Sequence, residues 1–287
     1  MVTSKSGGKG NPQIGRTAAK IAAYVLTVAC AVVFVFPFLW MLSTSLKTQQ
    51  EIYSFPPTLF PHKVYWNNYF LAVTKMPFLR YTWNTVAISV LCVVGQVLSS
   101  AMVAYSVSKI KWKGSKVLFP VIISTMMIPM QVTMIPLYII YNKLGLVGTI
   151  VPLTLPAFFG GAYYIFLMRQ FFKTIPDALF EAAKIDGARE TMIFFRILLP
   201  LSRPVLASVA IFTFLASWSD FLGPLLYLNK QEQYTLSLGL QAFMQEHYVE
   251  WGPLMAASAI FTVPIVILFF FAQSYFIEGI TVTGMKG

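Results

Sequence analysis

The chain has 287 residues, 57% of them hydrophobic and 11% charged, with a mean hydropathy of +0.70. These values exclude a soluble globular domain and place the chain in a bilayer. The net charge of +11 does not point to nucleic acid, because Lys and Arg flank apolar runs, where they act as topology signals.

In chain order, six apolar runs, roughly 20–45, 82–108, 117–140, 149–172, 204–228 and 256–277, are long enough to cross about 30 Å of hydrocarbon as helices. Helices are expected because hydrocarbon cannot satisfy free backbone groups and no alternating barrel pattern is present. The predicted fold class is an all-α integral membrane protein with six transmembrane helices, a tail at 1–19 and a single domain at 20–287. The first run could be read as a removable signal peptide, with Leu26 to Cys30 resembling a lipoprotein cleavage site. It continues unbroken to Leu42, however, which predicts a retained span.

Fifteen basic residues fall on one side of these spans: Lys5, Lys9, Arg16, Lys20, Lys109, Lys111, Lys113, Lys116, Arg169, Lys173, Lys184, Arg189, Arg196, Arg203 and Lys286. Six, namely Lys47, Lys63, Lys75, Arg80, Lys143 and Lys230, fall on the other. Both termini and the 173–203 connection are therefore expected in the cytoplasm. Cys30 and Cys92 lie within spans without metal or redox spacing and read as small apolar residues.

No G-x-x-x-x-G-K-[ST] phosphate loop, H-E-x-x-H or G-x-S-x-G occurs, so no catalytic residue and no metal site is expected. His62 and His247 are far apart. Ion-driven carriers keep carboxylates in their spans. Of the ten acids here, Glu51, Glu232, Glu246 and Glu250 map to the outer side and Asp177, Glu181, Asp186, Glu190 and Glu278 to the inner, leaving Asp220 alone at a span. A stand-alone carrier working through Asp220 is the alternative reading.

The fourth connection holds "EAAKIDGARETMIFFRILLP", residues 181–200, charged amid apolar sequence. Pro176 in a first turn, Asp177 and Glu181 early and Gly187 as a stop predict a helix of about ten residues. Leu179 and Ala183, at i and i+4, are expected to share a face. So short a helix must dock, on a partner or on its own bundle. A second element runs from Ala188 to Pro200.

Glu181-Ala182-Ala183, three residues, Gly187, nine residues, then Ile197-x-Leu199-Pro200 resembles, without gap, the motif of permease subunits in bacterial ABC importers. Pro37 to Trp40 with Ser43 and Lys47, Trp66-Asn67-Asn68-Tyr69, Asn84-Thr85, Trp218-Ser219-Asp220-Phe221, Tyr234-Thr235-Leu236 and the tail from Gln273 are similar to the carbohydrate-uptake branch, in particular its maltose-type second permeases. Ser219 departs from the W-N-D-F found in many relatives. The resemblance implies a type I permease fold in the bacterial plasma membrane, with a core at about 80–277 and a coupling loop at about 173–203, between helices 4 and 5. It implies that Glu181, Ala182, Ala183, Gly187, Ile197, Leu199 and Pro200 couple to an ATPase. Implied partners are a second homologous permease, two ATPase subunits that use ATP and Mg, and an extracytoplasmic sugar-binding protein. The chain itself would bind no cofactor. The ending "GITVTGMKG" resembles segments that reach toward the ATPase dimer interface.

Pro129, Pro136, Pro152, Pro156 and Pro264, with Gly160-Gly161, are expected to break helices at depth. A pyranose offers C–H faces and hydroxyls, so aromatic rings beside amides are its natural partners. The candidates of that kind in or near the spans are Trp83, Asn84, Gln131, Tyr163, Tyr164 and Trp218, with Asp220. Each of them also fits ordinary packing or interfacial anchoring.

Overall fold

The structure, a computed structural model, describes the backbone of residues 12–244 and 248–284, with side chains from Lys20 to Gln273 within those limits. Residues 1–11 of the predicted tail and 285–287 of the "GITVTGMKG" ending lie outside the described residues. The main helices are α1 (Pro12–Ser45), α2 (Asn67–Thr74), α3 (Phe78–Ser108), α4 (Ser115–Ser124), α5 (Met130–Lys143), α6 (Ala162–Thr174), α7 (Asp177–Ile185), α8 (Arg203–Trp218) and α9 (Trp251–Gly284). The helix at α1 already begins inside the tail expected at 1–19.

Four helical stretches, Lys20–Ser45, Phe78–Ser108, Val151–Thr174 and Trp251–Gln273, are each long and apolar enough to cross a membrane. Two further pairs reach six spans when each is taken as one: Ser115–Met127 with Met130–Lys143, bent by 98°, and Glu190–Leu201 with Arg203–Trp218, bent by 81°. The predicted run 117–140 is thus not straight. The run 204–228 stops as a helix at Trp218 and resumes as Leu222–Tyr227.

Proline does not break every helix in which it was expected to. Pro129 caps α5 at the bend, and Pro152 and Pro156 open the short turns Val151–Thr154 and Leu155–Phe159 ahead of Gly160, whose φ is +81°. Pro136 and Pro264, by contrast, ride inside α5 and α9. A proline removes one ladder hydrogen bond, a loss that helices of this length carry without breaking.

α3 is the strut of the bundle, packed on α8, α6 and the Leu155–Phe159 turn. Its buried stripe of small residues, Gly95, Ser99, Ser100, Ala101 and Ala104, lets those backbones come close. The same stripe tends the broken fourth span: Ser99 Oγ lies 2.9 Å from the Ala157 carbonyl, and the Cys92 thiol donates to Leu153 O at 3.3 Å. α1 is different. Residues 20–40 are exposed throughout, and its packing is against α9.

Motif stretches far apart in sequence meet at the α9 N-terminal end. The Asn68 amide donates to the carbonyls of Ser45 (3.0 Å) and Lys47 (2.7 Å), and Ser45 Oγ shares a hydrogen bond with Tyr69 OH at 2.9 Å. Asn84 donates to the carbonyls of Glu232 (2.9 Å) and Tyr234 (3.0 Å), and Thr85 Oγ1 accepts from Leu236 N–H at 2.8 Å. Gly252 leaves room for this tie, since a Cβ there would sit 2.6 Å from Asn68 Nδ2. Gly252→Ala should push the buried amide off its two carbonyls, costing about 1–3 kcal/mol. The check is a lowered thermal midpoint in detergent together with faster amide exchange across residues 46–69.

Candidate functional site

The 173–203 connection is a built structure. α7 starts at Asp177, with Pro176 at the cap (φ −59°, ψ 133°) rather than in the first turn. Asp177 at the start and Lys184 in the last turn both complement the helix dipole. The helix ends in a Schellman turn: Gly187 N–H donates to Lys184 O at 3.0 Å, and Ala188 N–H donates to Ala183 O at 2.9 Å. Gly187 has φ +82°, and a Cβ there would meet nothing within 4 Å, so conformation rather than space demands glycine.

One face of α7 is docked on the bundle. Phe180 and Ala183 join a core of Tyr105, Phe172, Ile175, Ile193, Phe194 and Leu198. The inward pair is therefore Phe180 with Ala183 rather than Leu179 with Ala183; Leu179 is half exposed. Glu181, Ala182, Ile185 and Gly187 are exposed, Ile185 at 86%. Docking on the bundle and leaving a surface free are thus compatible: the two uses fall on opposite faces.

Two electrostatic ties position the helix, and sequence reasoning missed both. Lys109, at the end of α3 and only 5% exposed, donates to Asp177 Oδ1 and to Ile175 O, each at 2.6 Å, and lies 5.0 Å from the Phe180 ring centre. Tyr105 OH donates to Glu190, whose other oxygen pairs with Lys184 at 2.6 Å. The Tyr105 ring contacts Phe180 and Phe194, with centroids at 6.4 and 5.6 Å. Neither tie has a local signal, because the partners stand 68 and 85 residues apart.

The second element contains a widened turn at Phe194–Leu198, where Leu199 N–H reaches back five residues to Phe194 O. That turn comes just before Pro200, which has no N–H to give. Ile197 and Leu199 pack half-buried on the core, and Pro200 is exposed.

The predicted path residues have different surroundings. Trp83 and Gln131 are exposed, and the Asn84 amide is spent on loop carbonyls. Tyr163 and Tyr164 meet edge to face at 5.4 Å. Trp218 is 2% exposed, stacks with Phe214 and Phe261 and donates to Phe261 O at 3.2 Å. Asp220 Oδ1 accepts from Gly223 N–H at 3.1 Å, capping the Leu222–Tyr227 turn. A cavity of about 400 Å³ between the ends of α1 and α9 is lined instead by Trp40, Lys47, Glu51, Tyr53, Thr58 and Trp251. Its cation is already engaged, for Lys47 donates to Thr58 O and sits 5.1 Å from the Trp40 ring centre.

Residues 96–282 match the family of binding-protein-dependent transport system inner membrane components. The chain belongs to that family. It is 37% identical over 279 residues to the arabinooligosaccharides transport system permease protein AraQ of Halalkalibacterium halodurans, covering 95% of this chain and 99% of that protein. It is 32% identical over 281 residues to the inner membrane ABC transporter permease protein YcjP of Escherichia coli, covering 95% and 98%. A chain from the crystal structure of a bacterial ABC transporter involved in the import of the acidic polysaccharide alginate superposes with a TM-score of 0.81 at 22% identity, over 95% of this chain and all of that one. The permease fold predicted from the loop motif is the fold of this chain.

In this permease the Asp177 carboxyl is held below the usual carboxylate range by its hydrogen bond to Lys109 and by the charge behind it. A depressed folded pKa contributes stability above the unfolded value of about 4, and that stability is lost as pH falls through the folded value. Lys109→Gln should therefore speed amide exchange across residues 177–185 roughly tenfold at neutral pH. The gap between variant and parent should narrow in acid, below the folded pKa of Asp177, leaving the part due to the Ile175 carbonyl and the Phe180 ring, which exchange followed by mass spectrometry against pH will show.

Proposed function

We propose that the permease takes up a sugar or oligosaccharide and that α7 is the coupling helix through which a cytoplasmic ATPase moves it. The observation that carries this reading is the two-faced build of α7: Phe180 and Ala183 are locked into the core, and Glu181, Ala182 and Ile185 are open to a partner. A push on the open face would reach α3 through Tyr105 and Lys109, and the second element through Phe194. In this reading Glu181, Ala182 and Gly187 meet the partner, and Ala183, Ile197, Leu199 and Pro200 carry the load inward.

The complex we infer contains a second homologous permease, two ATPase subunits that bind ATP and Mg, and an extracytoplasmic binding protein. This chain takes no part in hydrolysis. The distribution of basic residues supports cytoplasmic termini and a cytoplasmic α7. The sugar assignment is supported by relatives named for arabinooligosaccharides and, in Streptomyces coelicolor, for diacetylchitobiose uptake. Any contribution of Trp83, Asn84, Gln131, Tyr163, Tyr164, Trp218 or Asp220 to the path stands beside the hydrogen bonds that Asn84, Trp218 and Asp220 already make within the chain.

The test is purification of the assembled complex and measurement of binding-protein-stimulated ATP hydrolysis and sugar uptake. A left-handed backbone costs a β-branched residue about 1–2 kcal/mol, whereas asparagine tolerates it. Gly187→Val should lower both activities roughly tenfold with the complex still assembled, and Gly187→Asn should retain most of them. Unchanged coupling in Gly187→Val would remove α7 from the mechanism.

A further inference from the structure

The stretch Glu190–Leu201 turns 81° from the α8 span. A stretch turned this far from a helix that crosses the bilayer runs nearer the plane of the surface than the normal, the setting of interfacial helices. Its composition on the open side fits that setting. Met192 and Phe195 are 43% and 58% exposed, one helical turn apart, and Arg189 and Arg196 are exposed beside them. Together with Thr191 these four residues line an open cavity of about 370 Å³.

The arginines are uncommitted. Among the described residues neither makes an ion pair or a side-chain hydrogen bond, while the neighbouring acid, Glu190, is turned away onto Lys184 and Tyr105. Two nearby basic residues are engaged instead: Lys109 is clamped on Asp177, and Arg169 lies 3.7 Å from the Phe119 ring centre and donates to Val107 O. Two planar guanidinium forks and a hydroxyl match the oxygens of a phosphate, and exposed Phe and Met beside them match acyl chain. A soluble acidic partner would satisfy the arginines but would leave the apolar pair without a reason.

We propose that Arg189, Thr191, Met192, Phe195 and Arg196 form a binding site for the headgroup and upper acyl chain of an anionic phospholipid. The lipid would hold the base of the coupling loop at the membrane surface.

The experiment is native mass spectrometry of the full chain purified in detergent, titrated with phosphatidylglycerol and, separately, phosphatidylcholine. The parent should retain phosphatidylglycerol in preference to phosphatidylcholine. The Arg189→Gln/Arg196→Gln variant, with its fold checked by circular dichroism and thermal midpoint, should bind phosphatidylglycerol roughly 30-fold more weakly. Arg189→Lys/Arg196→Lys should keep part of the preference through charge alone. Equal retention of the two lipids by the parent, or parental affinity in the glutamine variant, would overturn the site. Displacement of phosphatidylglycerol by millimolar inorganic phosphate would reduce it to a simple anion site and also overturn it. Crosslinking of residues 192 and 195 to the ATPase in the assembled complex, with no lipid retained, would assign the surface to that partner instead.

Discussion

Backbone polar groups set in hydrocarbon must find partners within the chain, and the architecture follows from how α3 meets that constraint for its neighbours. The fourth span is broken at Leu155–Phe159 and Gly160, and side chains of α3 reach the freed carbonyls: Cys92 toward Leu153 and Ser99 toward Ala157. At one end of the same helix Thr85 accepts the Leu236 N–H, and at the other Lys109 and Tyr105 hold the 173–203 loop. A helix of 31 residues is about 46 Å long. One rigid element thus ties the hydrogen-bonded loops at one end of the bundle to the 173–203 loop at the other.

The apolar runs were legible because hydropathy reports solvent, and the solvent here is lipid over most of the surface. Direction was not. The run 117–140 reads as one span, yet the chain turns by 98° within it, since apolar content is the same on both sides of a bend. Nor does residue type decide where bends fall. Pro129 stands at one, while Pro37, Pro120, Pro136 and Pro264 sit inside helices. Pro37, Pro120 and Pro136 are exposed and still leave their helices unbroken, so burial does not separate the two outcomes either.

In the 173–203 loop the spacing from Glu181 to Pro200 was enough to recognise the family, and Gly187 was legible as a stop because few other residues accept its backbone. Which face of α7 turns inward was not legible. Ala183 is flanked at i−4 by Leu179 and at i−3 by Phe180, and both pairs fit a helix. The choice of Phe180 is made by Tyr105 and Lys109, whose rings and charge arrive from another helix. The sugar-path residues were chosen by chemical type. Chemical type alone did not distinguish Trp218, stacked in the core, from Trp83, exposed at 71%.

A nine-residue helix is marginal in water, so whatever holds α7 together determines how it can be used. Had its order come from the exposed face, engaging a partner and releasing it would fold and unfold the helix, and force would be lost in that transition. Here the order comes from elsewhere. The Schellman turn closes one end, the Lys109–Asp177 pair fixes the other, and Phe180 anchors the middle between Tyr105 and the core. Each of these contacts lies on the bundle side or at a terminus. The outward face can then be gripped and let go while the helix keeps its shape, which lets a short helix transmit displacement instead of absorbing it.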